Sequence, residues 1–262
     1  MKYMPGENWL TDGITESYQF PWLMLSTFIH PSRRTFWYPP RIQDIQTLMK
    51  LAQTVTGKEQ PVLLDVGSGI GLMAYLFARE GFEVIAIDQN ESVIERSKVL
   101  YKHPRLQYLQ RNMKEMEEWK GMVDVVFNSW MPAFSFWGKY LFSLDAPIVY
   151  LVGDPGGATG DYKCDEQKKS YRFFFHYLTP SWHDLLSWVN YLQLYPLTEK
   201  ALSHVMKATN QHICFLHRQI SEPEQLRVPP AKPYPWENQL DALGLLPGTK
   251  VSNGVIWSLS TT

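Results

Sequence analysis

Cysteine is nearly absent. Cys164 and Cys214 are the two present in 262 residues, too few and too far apart for a disulfide framework or a thiolate metal cluster. Free thiols in a reducing compartment are the expectation. No stretch approaches the ~18 uncharged apolar residues of a membrane span, and Met1 to Leu10, with Lys2 and Glu7, lacks the apolar run of a secretory signal. A soluble, cytoplasmic protein follows, with no membrane partner. An excess of one charge is missing too: 25 basic face 26 acidic side chains, for a net charge of -1. That removes the basic field with which nucleic-acid binders gather phosphates. His176, His183, His204, His212 and His217 show no metal-ligand spacing with carboxylates, so no metal site is expected.

Aromatic side chains are plentiful, at 14% with 10 Trp. Residues 1–40 hold Trp9, Tyr18, Phe20, Trp22, Phe28, Phe36, Trp37 and Tyr38, and they end in Pro39-Pro40, which stops whatever precedes it. This segment is read as an aromatic-rich N-terminal cap or lid. From Arg41 the apolar residues Ile42, Ile45, Leu48, Met49, Ala52 and Val55 recur every three or four positions up to Gly57, which describes an amphipathic helix.

A strand-and-helix alternation follows. Val62 to Val66 is a short apolar run, Gly67 to Gly71 a glycine turn, and Leu72 to Glu80 a helix closed by Gly81. Glu83 to Ile87 predicts a second strand ending in Asp88, and Glu91 to Tyr101 a helix. Leu106 to Leu109 is a weak third strand, Met113 to Trp119 a short charged helix, Val123 to Phe127 a fourth strand ending at Asn128, and Pro147 to Val152 a fifth. Apolar strands separated by helical stretches imply a doubly wound, mostly parallel α/β sheet covered on both faces. Thr179-Pro180 reads as the start of a helix with an apolar stripe through Trp182, Leu185, Leu186 and Val189. Ala201 to Met206 and His212 to His217 are then expected as an antiparallel edge pair turning at Thr209-Asn210. The domain spans residues 41–220. Residues 221–262 form a Pro-rich extension, with Gly254 to Leu259 a last docking strand.

The chemistry lies in Gly67-Ser68-Gly69-Ile70-Gly71. A G-x-G-x-G has a chance expectation of roughly 0.06 at this glycine content, against average usage, and here it also joins a strand to a helix. Such a turn needs positive φ, and it brings helix-start N–H groups to a ligand. The dinucleotide fingerprint G-x-G-x-x-G would put its third glycine at position 72, which is Leu72. The run Leu64-Asp65-Val66-Gly67-Ser68-Gly69-Ile70-Gly71 instead resembles motif I of class I S-adenosylmethionine-dependent methyltransferases. The resemblance extends from Pro61 to Met131.

That resemblance implies S-adenosyl-L-methionine as cofactor and assigns roles along it. Asp65, Gly67, Ser68, Gly69 and Gly71 form the turn, Asp65 either bonding the turn's N–H groups or touching the cofactor. Asp88, with Gln89 beside it, matches the family's acceptor of the two ribose hydroxyls. Asn112 stands where the family often has an acidic residue facing the adenine amino group, and Met113 is placed to pack on the ring. Asn128 ends the fourth strand near the methyl group. Trp130 is either a residue between cofactor and substrate or a core anchor, and both prolines of the N/D-P-P-Y/F/W motif of amino-group methyltransferases are missing around it.

The expected function is methyl transfer to an O or N atom of a small, aromatic or amphipathic metabolite. Trp130, Asp154, Tyr18 and Trp37 are the candidate substrate residues. An RNA or protein methyltransferase, or a binding scaffold without turnover, are the alternatives. No catalytic base is assigned; Asp154 and His176 are candidates only through their place after the fifth strand.

Overall fold

The computed structural model describes residues 41–69, 71–132, 135–153, 167–180, 209–223, 226, 228 and 231–234. The cap at 1–40, most of the Pro-rich extension, Cys164, Asp154, Tyr18, Trp37 and the expected elements at 182–189, 201–206 and 254–259 lie outside the described residues.

Helix α1 (Ile42–Thr56) forms where the apolar spacing places it. It buries Ile45, Leu48 and Ala52 and ends at Gly57, whose φ of 70° lets its N–H close onto the Gln53 carbonyl. Next come β1 (Val62–Val66), α2 (Leu72–Arg79), β2 (Glu83–Asp88) and α3 (Glu91–Leu100). The Asn90 side chain caps α3 by accepting from the N–H groups of Ser92 and Val93. Strand β3 (Leu106–Gln110) leads to the expected short helix at Met113–Trp119, which is a 3₁₀ helix with a kink at Glu115. Then follow β4 (Val125–Ser129), a short α4 (Gly138–Leu141), β5 (Ile148–Gly153), β6 (Tyr171–Pro180) and β7 (Thr209–His217).

The seven strands lie in the order β3-β2-β1-β4-β5-β7-β6. Neighbours from β3 to β5 are parallel, and β7 runs antiparallel between β5 and β6. The expected antiparallel edge pair therefore exists with a different partner. Thr179 and Pro180 end a strand and do not begin a helix, and Thr209-Asn210 starts β7 and is not its turn. The run Tyr171 to Tyr177 favours a pleated surface. Pro180 is tolerated because, among the described strands, β6 stands at the sheet's edge and pairs with β7 alone.

Both faces are covered, as a parallel sheet requires. One face buries Leu63, Ala86, Phe127 and Tyr150 with α1, α2 and Ile94 of α3. The other buries Leu64, Val66, Val126 and Leu151 with Met116, Trp119, Leu141 and Phe142. Register aligns one residue from every strand in a single transverse row: Tyr108, Ala86, Asp65, Phe127, Tyr150, Cys214 and Phe175. In-register neighbours share a face, so Asp65 is a carboxyl set among rings. Cys214 in that row is free and buried.

Candidate functional site

The glycine turn leaves β1 at the carboxyl edge of the sheet, where ligands of open α/β folds collect. Its main chain is fixed from behind. The N–H groups of Gly67 and Ser68 both donate to the Ile87 carbonyl at 2.9 Å, and Gly71 N–H donates to Ser68 O at 3.0 Å. Gly69 N–H donates to Oδ2 of Asp88 at 3.1 Å, while Ser97 Oγ donates to Gly69 O at 3.1 Å. Gly67, Gly69 and Gly71 have φ of 73°, 53° and 82°, a region that side-chain-bearing residues rarely adopt.

Two of these glycines make room for the protein's own rings. A Cβ on Gly71 would overlap the Tyr108 hydroxyl and ring, and a Cβ on Gly67 would lie 3.1 and 3.3 Å from two atoms of the Trp137 indole. Tyr108 reaches the turn across Ala86, the smallest residue of the transverse row, and its hydroxyl donates to Gly71 O at 3.4 Å. The crevice at the turn thus has an aromatic wall at each end, Tyr108 on the β3 side and Trp137 on the β4 side.

Beneath the turn lies Asp65, only 2% exposed. Among the described residues its Oδ2 is buried with no hydrogen-bond partner, as is Ser68 Oγ. Burial, then the neighbouring Asp88 carboxylate, raises the Asp65 pKa to about 8. A buried acceptor left unmatched costs free energy. The same Asp65 carboxyl, with burial ahead of it, holds the Tyr108 hydroxyl well above the usual tyrosine range.

Asp88 stands at the end of β2, half-buried, with Oδ1 accepting from Asn90 N–H at 2.9 Å and Oδ2 from Gly69 N–H. It is therefore tied to both the turn and the start of α3. Gln89 and Asn112 meet: the Asn112 amide donates to Gln89 Oε1 at 3.4 Å. The Asn112 oxygen, expected toward the adenine amine, caps the 3₁₀ helix by accepting from Lys114 N–H at 3.0 Å. Met113 packs on the second core from the helix's first position. Asn128 is fully buried and its amide donates to Val66 O at 2.7 Å, clasping the ends of β1 and β4. Trp130 has φ of 57° with its N–H on Val152 O at 2.7 Å, a costly conformation for a bulky residue and one that gathers at functional sites.

The structure also assembles groups that the sequence reading did not select. Tyr108 and Trp137 are two. Only the glycines opposite them hinted at close neighbours, without saying which. A third group lies at the start of α1, where Arg41 and Asp44 form a largely buried ion pair and the Tyr150 hydroxyl meets Nδ1 of His212 at 2.8 Å. His212 is fully buried, and that burial depresses its pKa to about 3, with Asp44 opposing and Arg41 reinforcing the shift. Long-range β pairing brings this group together, and spacing does not announce it. The side chain of His176 lies outside the described residues, and among those residues no cluster of acidic, His or Cys side chains is arranged to hold a metal ion. No described helix is long and apolar enough to cross a membrane.

The family profile described as a methyltransferase domain matches residues 63–141, the stretch from β1 to α4. No curated protein matches the chain at a significant level. Among solved structures, the chain is similar to magnesium protoporphyrin IX methyltransferase from Synechocystis PCC 6803 with bound S-adenosylmethionine, at 12% identity and a TM-score of 0.45, over 67% of this chain and 79% of that one. It is also similar to geranyl diphosphate C-methyltransferase from Streptomyces coelicolor A3(2), in complex with Mg2+, geranyl diphosphate and S-adenosyl-L-homocysteine. That match has 12% identity and a TM-score of 0.43, over 67% of this chain and 80% of that one.

Proposed function

We propose that residues 63–141, which match a methyltransferase-domain profile, form a class I S-adenosylmethionine-dependent methyltransferase domain, and that this enzyme methylates an O or N atom of a small, aromatic or amphipathic metabolite. The observation that carries the cofactor site is the braced glycine turn with unmatched polar atoms under it, Asp65 Oδ2 and Ser68 Oγ. A carboxyl oxygen with no donor suits a ligand bearing an ammonium group, and S-adenosylmethionine carries one. Asp88 fits the vicinal ribose diol, since each oxygen engaged with a main-chain N–H keeps further acceptor capacity. Gln89, exposed beyond it, and the half-buried Asn112 offer amide groups toward the base.

When bound, the cofactor supplies an electrophilic methyl on sulfur. The chain's own residues position. Asp88 and the turn set the ribose, Asn128 holds β1 and β4 in fixed relation, and Trp130 marks the side from which an acceptor comes in line at roughly 3 to 3.5 Å. Aromatic walls exclude water and sharpen every charge interaction inside. The small-molecule reading is supported by the near-neutral charge balance and the apolar surroundings of the turn.

Calorimetric titration of the full chain with S-adenosylmethionine and with NAD tests the cofactor. Saturable binding of the first alone is expected, and Asp88→Ala or Gly69→Val is expected to weaken it at least ten-fold with the far-ultraviolet spectrum unchanged. Equal affinity in those variants defeats the site assignment. Formation of S-adenosylhomocysteine with a panel of small aromatic acceptors is expected to proceed without strong salt dependence. Turnover confined to RNA or protein, and lost steeply with salt, would replace the metabolite.

A further inference from the structure

The ribose and base positions proposed above fix the direction of a ligand across the sheet. With its sugar at Asp88 on β2 and its base toward Gln89 and Asn112 at the end of β3, its charged sulfur end points the opposite way, over β1 and β4. At that place the side-chain position missing from Gly67 is lined by two groups. The Trp137 indole comes to 3.1 and 3.3 Å, and the Asn128 amide nitrogen to 3.7 Å. Trp137 starts α4, partly buried against the second core, and its N–H donates to Met131 Sδ at 3.2 Å. The chain that leaves β4 through Trp130, with its left-handed backbone, thus folds back to set an indole against the first glycine of the turn.

We infer that Trp137 is the positioning residue for the sulfonium: its π-face reads the positive charge, so that the site holds the charged methyl donor more tightly than the neutral thioether product. This rests on the proposed cofactor site. An aromatic face near a cation is worth appreciable binding energy once both are desolvated, and a thioether gains no such term. Trp137 thereby favours release of the spent cofactor after transfer, which apolar packing alone would not do.

The test measures affinities of S-adenosylmethionine and S-adenosylhomocysteine for the full-length wild type and for Trp137→Leu and Trp137→Phe, with circular dichroism to verify folding. Trp137→Leu is expected to weaken the sulfonium compound about ten-fold while changing the thioether less than about two-fold, and Trp137→Phe to retain part of the discrimination. Parallel loss for both compounds in the folded Leu variant overturns the inference and makes Trp137 a packing group, leaving the cofactor site standing. Tighter binding of both overturns it as well and makes the ring an obstacle that the ligand displaces. If Trp137→Leu fails to fold, Trp137→Phe decides by the same ratio: an unchanged ratio with weaker binding of both sinks the idea. Wild type that binds neither compound refutes the cofactor site itself, and the role of Trp137 with it.

Discussion

Asp65 and Asp124 are both buried aspartates at the ends of the central strands, 2% and 4% exposed, yet their situations are opposite. At the amino edge, Asp124 accepts two contacts from Lys58 Nζ at 2.8 and 3.0 Å and the Val62 N–H at 2.8 Å, and its own N–H donates to Val62 O at 2.8 Å. At the carboxyl edge, Asp65 has one oxygen with no partner and a second carboxylate, Asp88, close enough to raise its pKa. A satisfied buried acid is a fastener between β1 and β4. An unsatisfied one is a cost that a fold without a ligand has no reason to carry.

The largest effect is expected from Gly71→Ala, which breaks the carboxyl edge. The new methyl collides with Tyr108 and the φ of 82° is strained, so a loss of about 3 kcal/mol in urea unfolding is expected. Tyr108→Ala in the same chain should recover part of it. A stability equal to wild type in Gly71→Ala would show that the ring has room to retreat. At the other edge, Asp124→Ala removes the acceptor of the partly buried Val62 N–H and the partner of Lys58, and a cost of about 2 kcal/mol with cofactor affinity unchanged is expected. Reduced affinity there would erase the distinction between the two ends.

Asp65→Asn sharpens it through pH. Folded Asp65 keeps its proton up to about pH 8, whereas the unfolded carboxyl releases it near its ordinary value, so stability falls as pH rises between those points. His212, enclosed by Tyr150, Arg41 and Asp44, acts in the opposite sense. The unfolded imidazole binds a proton that the folded one refuses down to about pH 3, so stability rises with pH until about 6.5. His103, also lowered by desolvation, adds to that rise. The opposing slopes offset each other below about pH 6.5, and among the described residues Asp65 is the shifted group that acts between about 6.5 and 8. Thermal or urea unfolding of wild type should lose about 1–2 kcal/mol from pH 6.5 to 8. Asp65→Asn should remain flat there and show the uncovered rise below, while binding S-adenosylmethionine more weakly. A wild-type curve level to pH 8 would place an unseen donor on Asp65. Lys58→Ala should have the smallest effect, about 0.5 kcal/mol, because that side chain is 51% exposed.

The same two-sided character explains what was legible in the sequence. From Val62 to Gly153 each parallel strand is a short run, each connection is local, and Gly71, Asn90 and Asn112 sit at element starts, so local chemistry and final position agree. The sheet beyond β5 is set by pairing between distant segments. Thr179-Pro180 reads locally as a helix start, and pairing of Tyr171–Pro180 with β7 overrides that meaning. In the candidate site, the turn and Asp88 were visible because the chain spacing that singled them out also joins them in space. Tyr108 and Trp137 were not, since a ring among many rings reveals its neighbour only after β3 and α4 are placed. Asn112 shows the reverse case: it was selected by position in the chain, while its oxygen serves as a helix cap.

The placement of β7 between β5 and β6 has a consequence for synthesis. Tyr171–Pro180 emerges from the ribosome before Thr209–His217, and so it has no seat in the sheet when it is made. For roughly several seconds at ordinary elongation rates, the fully buried strand Ile148–Gly153 presents a bare ladder of peptide groups. A nascent chain paused in this interval is a natural client for chaperones that shield open β edges, and truncations ending before residue 209 are expected to aggregate even though β1 to β5 are already made.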